Sequence, residues 1–516
     1  MARLYEYQGK DLLRRMGVKV PAGREARTAA EAGEVAAEVG GPVVIKAQVF
    51  VTGRAAAGGI KFADNAGEAE RVAGSDLLGR DIKGQRCDVV LVEEKLDIAR
   101  EMYAGIIIDN EARRPLLIFS SVGGSGVEEI AREHPEAVAR HHVDPAKGLA
   151  GYEARELARR AGLQGRELTG VADLLVKLWK LARGSEARAA EINPLVITAG
   201  GDVMAADCRI TVDDYAVFRH PELGVEVARE FDRPPTALDL IAYNVEKDDY
   251  RGTFYFIQMA QGFTRDECYV AFHGAGGGGS MMSMDAALAE GFKIANFCDT
   301  SGNPPASKVY RAARIILAQP NLVGYFGSGS GVASQEQFHS ARGLVKAFRE
   351  VGLNMPCVER LGGNQEERAI QILPEYTKDL PAPVECYGKD TSARHCARRL
   401  RELVDEFDYG APAPQAPVDE HESSYSFGTV TGGAVSFDYS RCDACESKVC
   451  VEECVPGILE LKEGRPVLNI SPEEAARGRC SECLACEVEC RARGNGGGRI
   501  TLPIPGLDEY LKETRE

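Results

Sequence analysis

The sequence predicts an α/β protein with two large domains and a small cysteine-rich one behind them. Three observations carry this. First, beyond Gly252 four apolar runs each end in a glycine-rich turn and lead into a helical stretch. That is the pattern of a parallel sheet whose loops gather at the carboxyl ends of the strands. Second, eight of the 15 cysteines lie between Cys442 and Cys490, a composition shift that marks a separate domain. Third, Ala411-Pro412-Ala413-Pro414-Gln415-Ala416-Pro417 has the composition of a stiff, extended linker. The expected domains are 1–235, 240–408 and 426–516, with 409–425 as linker.

A chain of 516 residues with 44% hydrophobic content can bury several large cores. Its net charge of −16 argues against nucleic acid as a general partner. An anionic ligand must therefore be met by local Lys, Arg or backbone N–H groups. No apolar run is long enough for a membrane span, and the N-terminus lacks the apolar core of a signal peptide. A cytoplasmic location is expected. In that reducing compartment the seven scattered cysteines (Cys87, Cys208, Cys268, Cys298, Cys357, Cys386 and Cys396) read as buried apolar residues.

In the first domain, residues 1–40 read as two amphipathic helices joined by a turn over 18–23, with Leu4, Tyr7, Leu12, Leu13 and Met16 at helical spacing. Pro42 to Val49 is a buried type of strand carrying one lysine, Lys46. A lysine there is costly unless paired. It either snorkels to water at the strand end or serves as a phosphate ligand, and the glycine loop that follows, Thr52-Gly53-Arg54-Ala55-Ala56-Ala57-Gly58-Gly59, favours the second reading. Asp88 to Glu94 is another buried strand, ending in Glu93 and Glu94. Strand-end acids of this kind either bind a base amino group or ribose hydroxyl or are solvated. Ser120 to Glu128 is a second glycine loop, and a helical stretch runs from Gly151 to Ala182.

The next stretch reads as a hairpin. Two β-branched runs, Glu191 to Thr198 and Val203 to Asp207, flank the turn Ala199-Gly200-Gly201-Asp202. Glu191 and Asn193 are two apart and share a face, and Asp207 can come alongside them. Hard oxygen donors on one face suit Mg²⁺ held together with nucleotide phosphates; solvated surface acids are the alternative. Residues 210–238, with Pro221, Pro234 and Pro235, read as a linker.

In the second domain the four turns are His273 to Ser280, Thr300 to Pro305, Gly327 to Gly331 and Leu361 to Asn364. Four in succession point to a ligand-binding face rather than to tight turns alone. Met281, Met282 and Met284 read as core.

Lys46, the Gly53-Arg54 loop, Glu93 and the 191–198 stretch together resemble the β subunit of succinyl-CoA synthetase. The resemblance covers residues 1 to about 405. It opens at Glu6-Tyr7-Gln8 with Lys10, includes Phe218-Arg219-His220-Pro221 and Gly274-Ala275-Gly276, and closes near Arg360-Leu361-Gly362-Gly363-Asn364. It implies an ATP-grasp domain, then a flavodoxin-like CoA-ligase domain. It implies ATP or GTP bound by Lys46, Gly53, Arg54, Ala55, Glu93, Leu96 and Glu101, and Mg²⁺ on Asn193 and Asp207. Glu191 matches the residue that approaches a phosphohistidine, which in the family belongs to a separate α subunit that also holds the CoA site. The reaction implied passes phosphate from nucleotide to that histidine and on to a carboxylate, which CoA then converts to a thioester. His273 stands where the family carries the Asn that touches the acid, and the loop Phe326 to Gly331 is longer than usual. With Gly327, Gly329 and Gly331 these are the expected substrate residues, and they point away from succinate.

The cysteine domain reads Cys442-x2-Cys445-x4-Cys450-x3-Cys454 and Cys480-x2-Cys483-x2-Cys486-x3-Cys490. The second run has the spacing of a two-cluster bacterial ferredoxin, in which the fourth cysteine of each run serves the other cluster. The expected ligand sets for two [4Fe–4S] clusters are Cys442, Cys445, Cys450 and Cys490, and Cys454, Cys480, Cys483 and Cys486. Two Cys₄ zinc sites are the alternative. Ligation needs no redox step, so the clusters imply a redox partner, a sensor or a structural module. A redox scaffold with a binding-only ligase half is the other reading of the whole chain.

Overall fold

The computed structural model describes the chain except for residues 1, 52, 125–131, 230, 232, 248, 250–252, 330, 332, 411–420 and 515–516. The Pro/Ala linker, Thr52, Ser330 and the 125–128 part of the second glycine loop lie outside the described residues. The chain divides into two compact units, Met1–Pro235 and Thr236–Glu516.

The first unit contains two antiparallel sheets. In the larger, Ala187–Thr198 is central, with Ile98–Asp109 on one side and Val203–Ala205 and Cys208–Val212 on the other. The smaller sheet runs Gly23–Ala26, Val90–Glu94, Val43–Ala47, Ile60–Ala63. The helices Glu6–Arg15 and Ala29–Val39 form as their periodicity predicts. The Thr28 hydroxyl accepts the Glu31 N–H at the start of the second, and Gly40 ends it in the left-handed region. Between them Gly23–Ala26 is a strand, where the sequence suggested only a turn. Gly23 has φ +142, and a Cβ there would lie 2.1 Å from the Val92 carbonyl oxygen. Only glycine lets the strands approach so closely. Gly162, at φ +88, divides the expected helix over 151–182 into Gly151–Arg160 and Gly165–Gly184. The start of the expected linker, 210–212, belongs to the sheet strand Cys208–Val212, which pairs with Ala187–Ile192.

In the second unit the strands run Tyr255–Gln258, Asn296–Asp299, Tyr269–Ala275, Gly324–Gly329, Cys357–Arg360, Val384–Tyr387. All pairings in this path are parallel except that of the first strand. Helices Ala306–Ile316 and Phe338–Val351 pack on one face, touching at Gly343, where a Cβ would lie 2.6 Å from the Ala306 carbonyl oxygen. Gly277–Ala289 and Ala393–Glu406 cover the other. Met281 and Met282 are exposed on Gly277–Ala289 rather than in the core. The apolar residues of that helix fall on all its sides, so periodicity could not choose the buried face. Cys268 is half-buried, while the other six scattered cysteines are buried as expected.

The cysteine-rich segment is a three-stranded sheet (Tyr425–Gly428, Ala434–Phe437, Gly498–Thr501) with a hairpin and short helices. Its Phe437, Val435 and Ile500 belong to the same apolar core as Leu344 and Phe348. Ion pairs reinforce this contact. Arg342, fully buried, donates to Glu489 at 2.6 Å and Glu453 at 3.0 Å. Lys346 pairs with Glu487 at 2.8 Å, and Tyr376 donates to Glu489 at 2.7 Å. Removing one member of a buried pair strands the other charge. Arg342→Ala is therefore expected to destabilise the second unit by about 3–5 kcal/mol in urea unfolding, whereas the exposed Arg159→Ala changes stability by under about 1 kcal/mol.

Candidate functional site

In the first unit, side chains from four segments converge below the hairpin. Lys46, on a strand otherwise buried, reaches Glu93 at 2.5 Å and Glu6 at 2.9 Å. Lys10 pairs with the same two acids, at 2.5 and 2.8 Å. Both ammonium groups also donate to the Ala206 carbonyl at 2.8 Å. Arg54 bridges Glu6 to Asp207, the latter at 2.9 Å. Three cations and three carboxylates thus form one cluster. Burial works against the Glu6 carboxylate, but Lys46, Lys10 and Arg54 outweigh it and hold its pKa well below the usual range. Burial and the nearby Glu6 push Asp207 the other way. The pKa values of Lys46 and Arg54 are raised: burial opposes their charge, but the acids around them prevail.

The hairpin sits as expected, with Leu195 opposite Ala205 and the Asn193 N–H donating to the Asp207 carbonyl at 3.1 Å. The Asn193 amide nitrogen donates to Gly124, leaving its oxygen available, and Arg54 takes one oxygen of Asp207. Glu191 accepts from Tyr103 at 3.3 Å. These are hard oxygen donors of the type Mg²⁺ takes, so the residues fit that ion. Gly53 and Ala55 are exposed on their loop, Gly53 at φ +67. Leu96 packs beside Val196 and Met204, and Glu101 is exposed, paired in register with Val196. Glu93 sits between two lysines, 2% exposed, rather than at an open strand end. Two cations of this region were not singled out as site residues from the sequence. Lys10 needed the tertiary contact to be placed. The Lys83 ammonium lies 3.2 Å from where a Gly53 Cβ would be, delivered to the loop by the hairpin of Asp81–Ile82 and Gln85–Arg86.

In the second unit the glycine turns line a cleft at the carboxyl ends of the parallel strands. His273, Gly327 and Glu359 stand side by side in register on three adjacent strands. His273 Nδ1 lies 2.6 Å from the Tyr325 hydroxyl and Nε2 lies 3.4 Å from Thr300. Burial lowers the His273 pKa from 6.5 to about 4. Gly329 and Gly331 line the same cleft; a Cβ on Gly329 would lie 2.7 Å from the Ala275 carbonyl. Glu359 was not singled out from sequence. A lone acid in an apolar strand is a signal of its own, since its burial costs free energy that some use must offset.

The eight cysteines lie close together: Cys450 feels the charge of Cys442, Cys445 and Cys490, and Cys486 that of Cys454, Cys480, Cys483 and also Cys450. The Gly498 N–H donates to Cys490 Sγ at 3.4 Å, and a Cβ on Gly497 would lie 2.8 Å from Cys442 Sγ. Among the described residues no group of three or more His, Cys, Asp or Glu is placed to hold a metal ion. Nor, among the described residues, is any helix long and apolar enough to cross a membrane.

The depressed His273 pKa gives a signed pH dependence. The unfolded chain takes up this proton near 6.5 and the folded one only near 4, so the stabilisation is complete above pH 6.5 and lost as pH falls towards 4. The loss is expected to be about 3 kcal/mol, and His273→Asn should flatten that part of the stability–pH curve relative to the parent chain.

The ATP-grasp domain family model matches residues 3–197. The chain is 40% identical over 371 residues to the succinate–CoA ligase [GDP-forming] subunit beta of Thermus thermophilus, covering 72% of this chain and 93% of that one. It is 36% identical over 406 residues to the ADP-forming subunit beta of Rubrobacter xylanophilus, 78% of this chain and 98% of that one. Among solved structures, an ATP citrate lyase from Methanothrix soehngenii shares the fold, with TM-score 0.63 and 20% identity over 78% of this chain and 99% of that one. The matched length, the ATP-grasp domain and the hairpin together place this chain in the succinate–CoA ligase β-subunit family of acid–CoA ligases.

Proposed function

We propose that the chain is the β subunit of a nucleotide-dependent acid–CoA ligase that works with an α subunit carrying a phosphorylated histidine and the CoA site, and that it carries two [4Fe–4S] clusters. The observation that supports the ligase reading is the charge cluster. Phosphoryl transfer needs positioned positive charge more than covalent chemistry. Lys46 and Arg54 supply it, fixed in place by Glu6, Glu93 and Asp207. Asn193 and Asp207 would hold Mg²⁺, which would offset phosphate charge on the nucleotide. Lys83 brings a second cation to the loop that carries Arg54. Glu191, tied to Tyr103, would meet the histidine of the partner. The β subunits to which the chain is similar are named as ADP- or GDP-forming, and the same choice applies here.

The spacing of the eight cysteines along the chain, N–H donation to Cys490 Sγ and glycines close to the sulfurs support the cluster reading. Such clusters would supply one-electron redox chemistry. Glu453, Glu482, Glu487 and Glu489, each beside a cysteine of the sets, pair with Arg342, Lys346, Arg311 and Arg368. The structural role this gives the segment holds with or without electron transfer.

The test is ATP- or GTP- and CoA-dependent thioester formation from a panel of carboxylic acids, run with the α subunit. Lys46→Met and Asp207→Asn are each expected to lower kcat/KM by about 10²-fold or more. If nucleotide bound while no acid was consumed, the ligase reading would be lost. Anaerobically prepared protein should carry about eight irons per chain, falling to about four in Cys483→Ser, with loss of one set of reducible EPR signals. Iron-free protein containing zinc would overturn the cluster reading.

A further inference from the structure

The cleft of the second unit contains one group that the ligase chemistry leaves unused. Glu359 is 3% exposed in a parallel strand, and its Oε1 is buried without a hydrogen-bond partner. Its carboxyl lies across the face of Gly327: a Cβ on that glycine would stand 1.9 Å from Glu359 Oε2. The adjacent strand brings His273 to the other side of Gly327 in the same row. Tyr325, one layer below on the same face, holds the imidazole. The helices Ala306–Ile316 and Phe338–Val351 close the recess from above with Val309, Ser340 and Leu344.

Burial of a polar group without a partner is costly, and such groups in folded proteins generally signal an absent water or ligand. The space left between the lining residues is about 30 Å³, enough for one water-sized group. The electrostatics exclude a second carboxylate. Arg360, the cation among the described lining residues, is committed: its three nitrogens donate to the carbonyls of Thr391, Gly329 and Lys389 at 2.6, 2.8 and 2.9 Å. A substrate carboxylate buried there would find no free cation among the described lining residues to offset its charge.

Resting on the ligase reading above, we infer that Glu359 and His273 form a subsite for a neutral hydrogen-bonding group on the acid, so that the substrates are hydroxy- or oxo-carboxylic acids rather than plain dicarboxylic ones. The reacting carboxylate then lies at the mouth, among the glycine turns that include Gly329 and Gly331. Glu359 and His273 present one acidic donor and one imidazole to a single hydroxyl or carbonyl oxygen. Burial raises the Glu359 pKa well above the usual range and so favours its protonated, donating form. Gly327 is glycine because the Glu359 carboxyl occupies the place of its side chain.

The test compares 3-hydroxybutyrate, butyrate and succinate, by calorimetric binding to the full chain and by kcat/KM in the complex with the α subunit. The parent chain should bind 3-hydroxybutyrate about tenfold or more tightly than butyrate, the worth of one good buried hydrogen bond. Glu359→Gln, which keeps a donor and an acceptor, should retain the preference. Glu359→Leu should abolish it while leaving butyrate binding within about twofold. Equal binding of the three acids by the parent, a preference for succinate, or an equal loss for all acids in Glu359→Leu would each overturn the inference. Binding is read without turnover, so absence of thioester formation would defeat the ligase reading and leave the subsite decided by calorimetry.

Discussion

A lysine inside an apolar strand must be paired, and much of the first unit is arranged around satisfying that requirement at Lys46. Its ammonium is met by Glu6 from the first helix, Glu93 from the neighbouring strand and the Ala206 carbonyl from the hairpin. Three segments far apart in sequence are thereby fixed against each other. Arg54 and Lys10 enter the same cluster, and three positive charges balance three negative ones. The cluster is rigid because no member can leave without stranding another. That rigidity is what a phosphoryl-transfer site needs: charge in place before the substrate arrives.

The second unit uses the same physics differently. Arg342 and Lys346 project from a ligase-domain helix into acids that sit beside the clustered cysteines. The helix carrying them starts at the cleft, where Ser340 and Leu344 line the wall. One element therefore touches both the cysteine segment and the candidate acid subsite. The apolar core is continuous across the same contact, from Leu238 to Leu507. The cysteine segment is built into this unit and is not a bead on a flexible string.

The two regions also differ in how they treat carboxylates. Glu93 is surrounded by cations, whereas Glu359 has none to pair with. The first is a counter-ion, and the second is an acid held in reserve for a neutral partner. Sequence position alone does not separate them, since each lies near the end of an apolar strand.

The sequence by itself determined the α/β class, the parallel order of the second sheet, the hairpin at 191–207 and the grouping of eight cysteines. Each of these is a local signal: side-chain period, turn chemistry or spacing along the chain. It also singled out Lys46, Arg54, Asn193 and Asp207, because a charge in an apolar run or beside glycines is visible without a fold. The tertiary structure alone decided that Glu93 serves Lys10 and Lys46, that Lys83 reaches Gly53, that Met281 and Met282 face outward, and that Glu359 lies across Gly327. These depend on which segments come together in space, and pairing across 30 to 83 residues leaves no period to read.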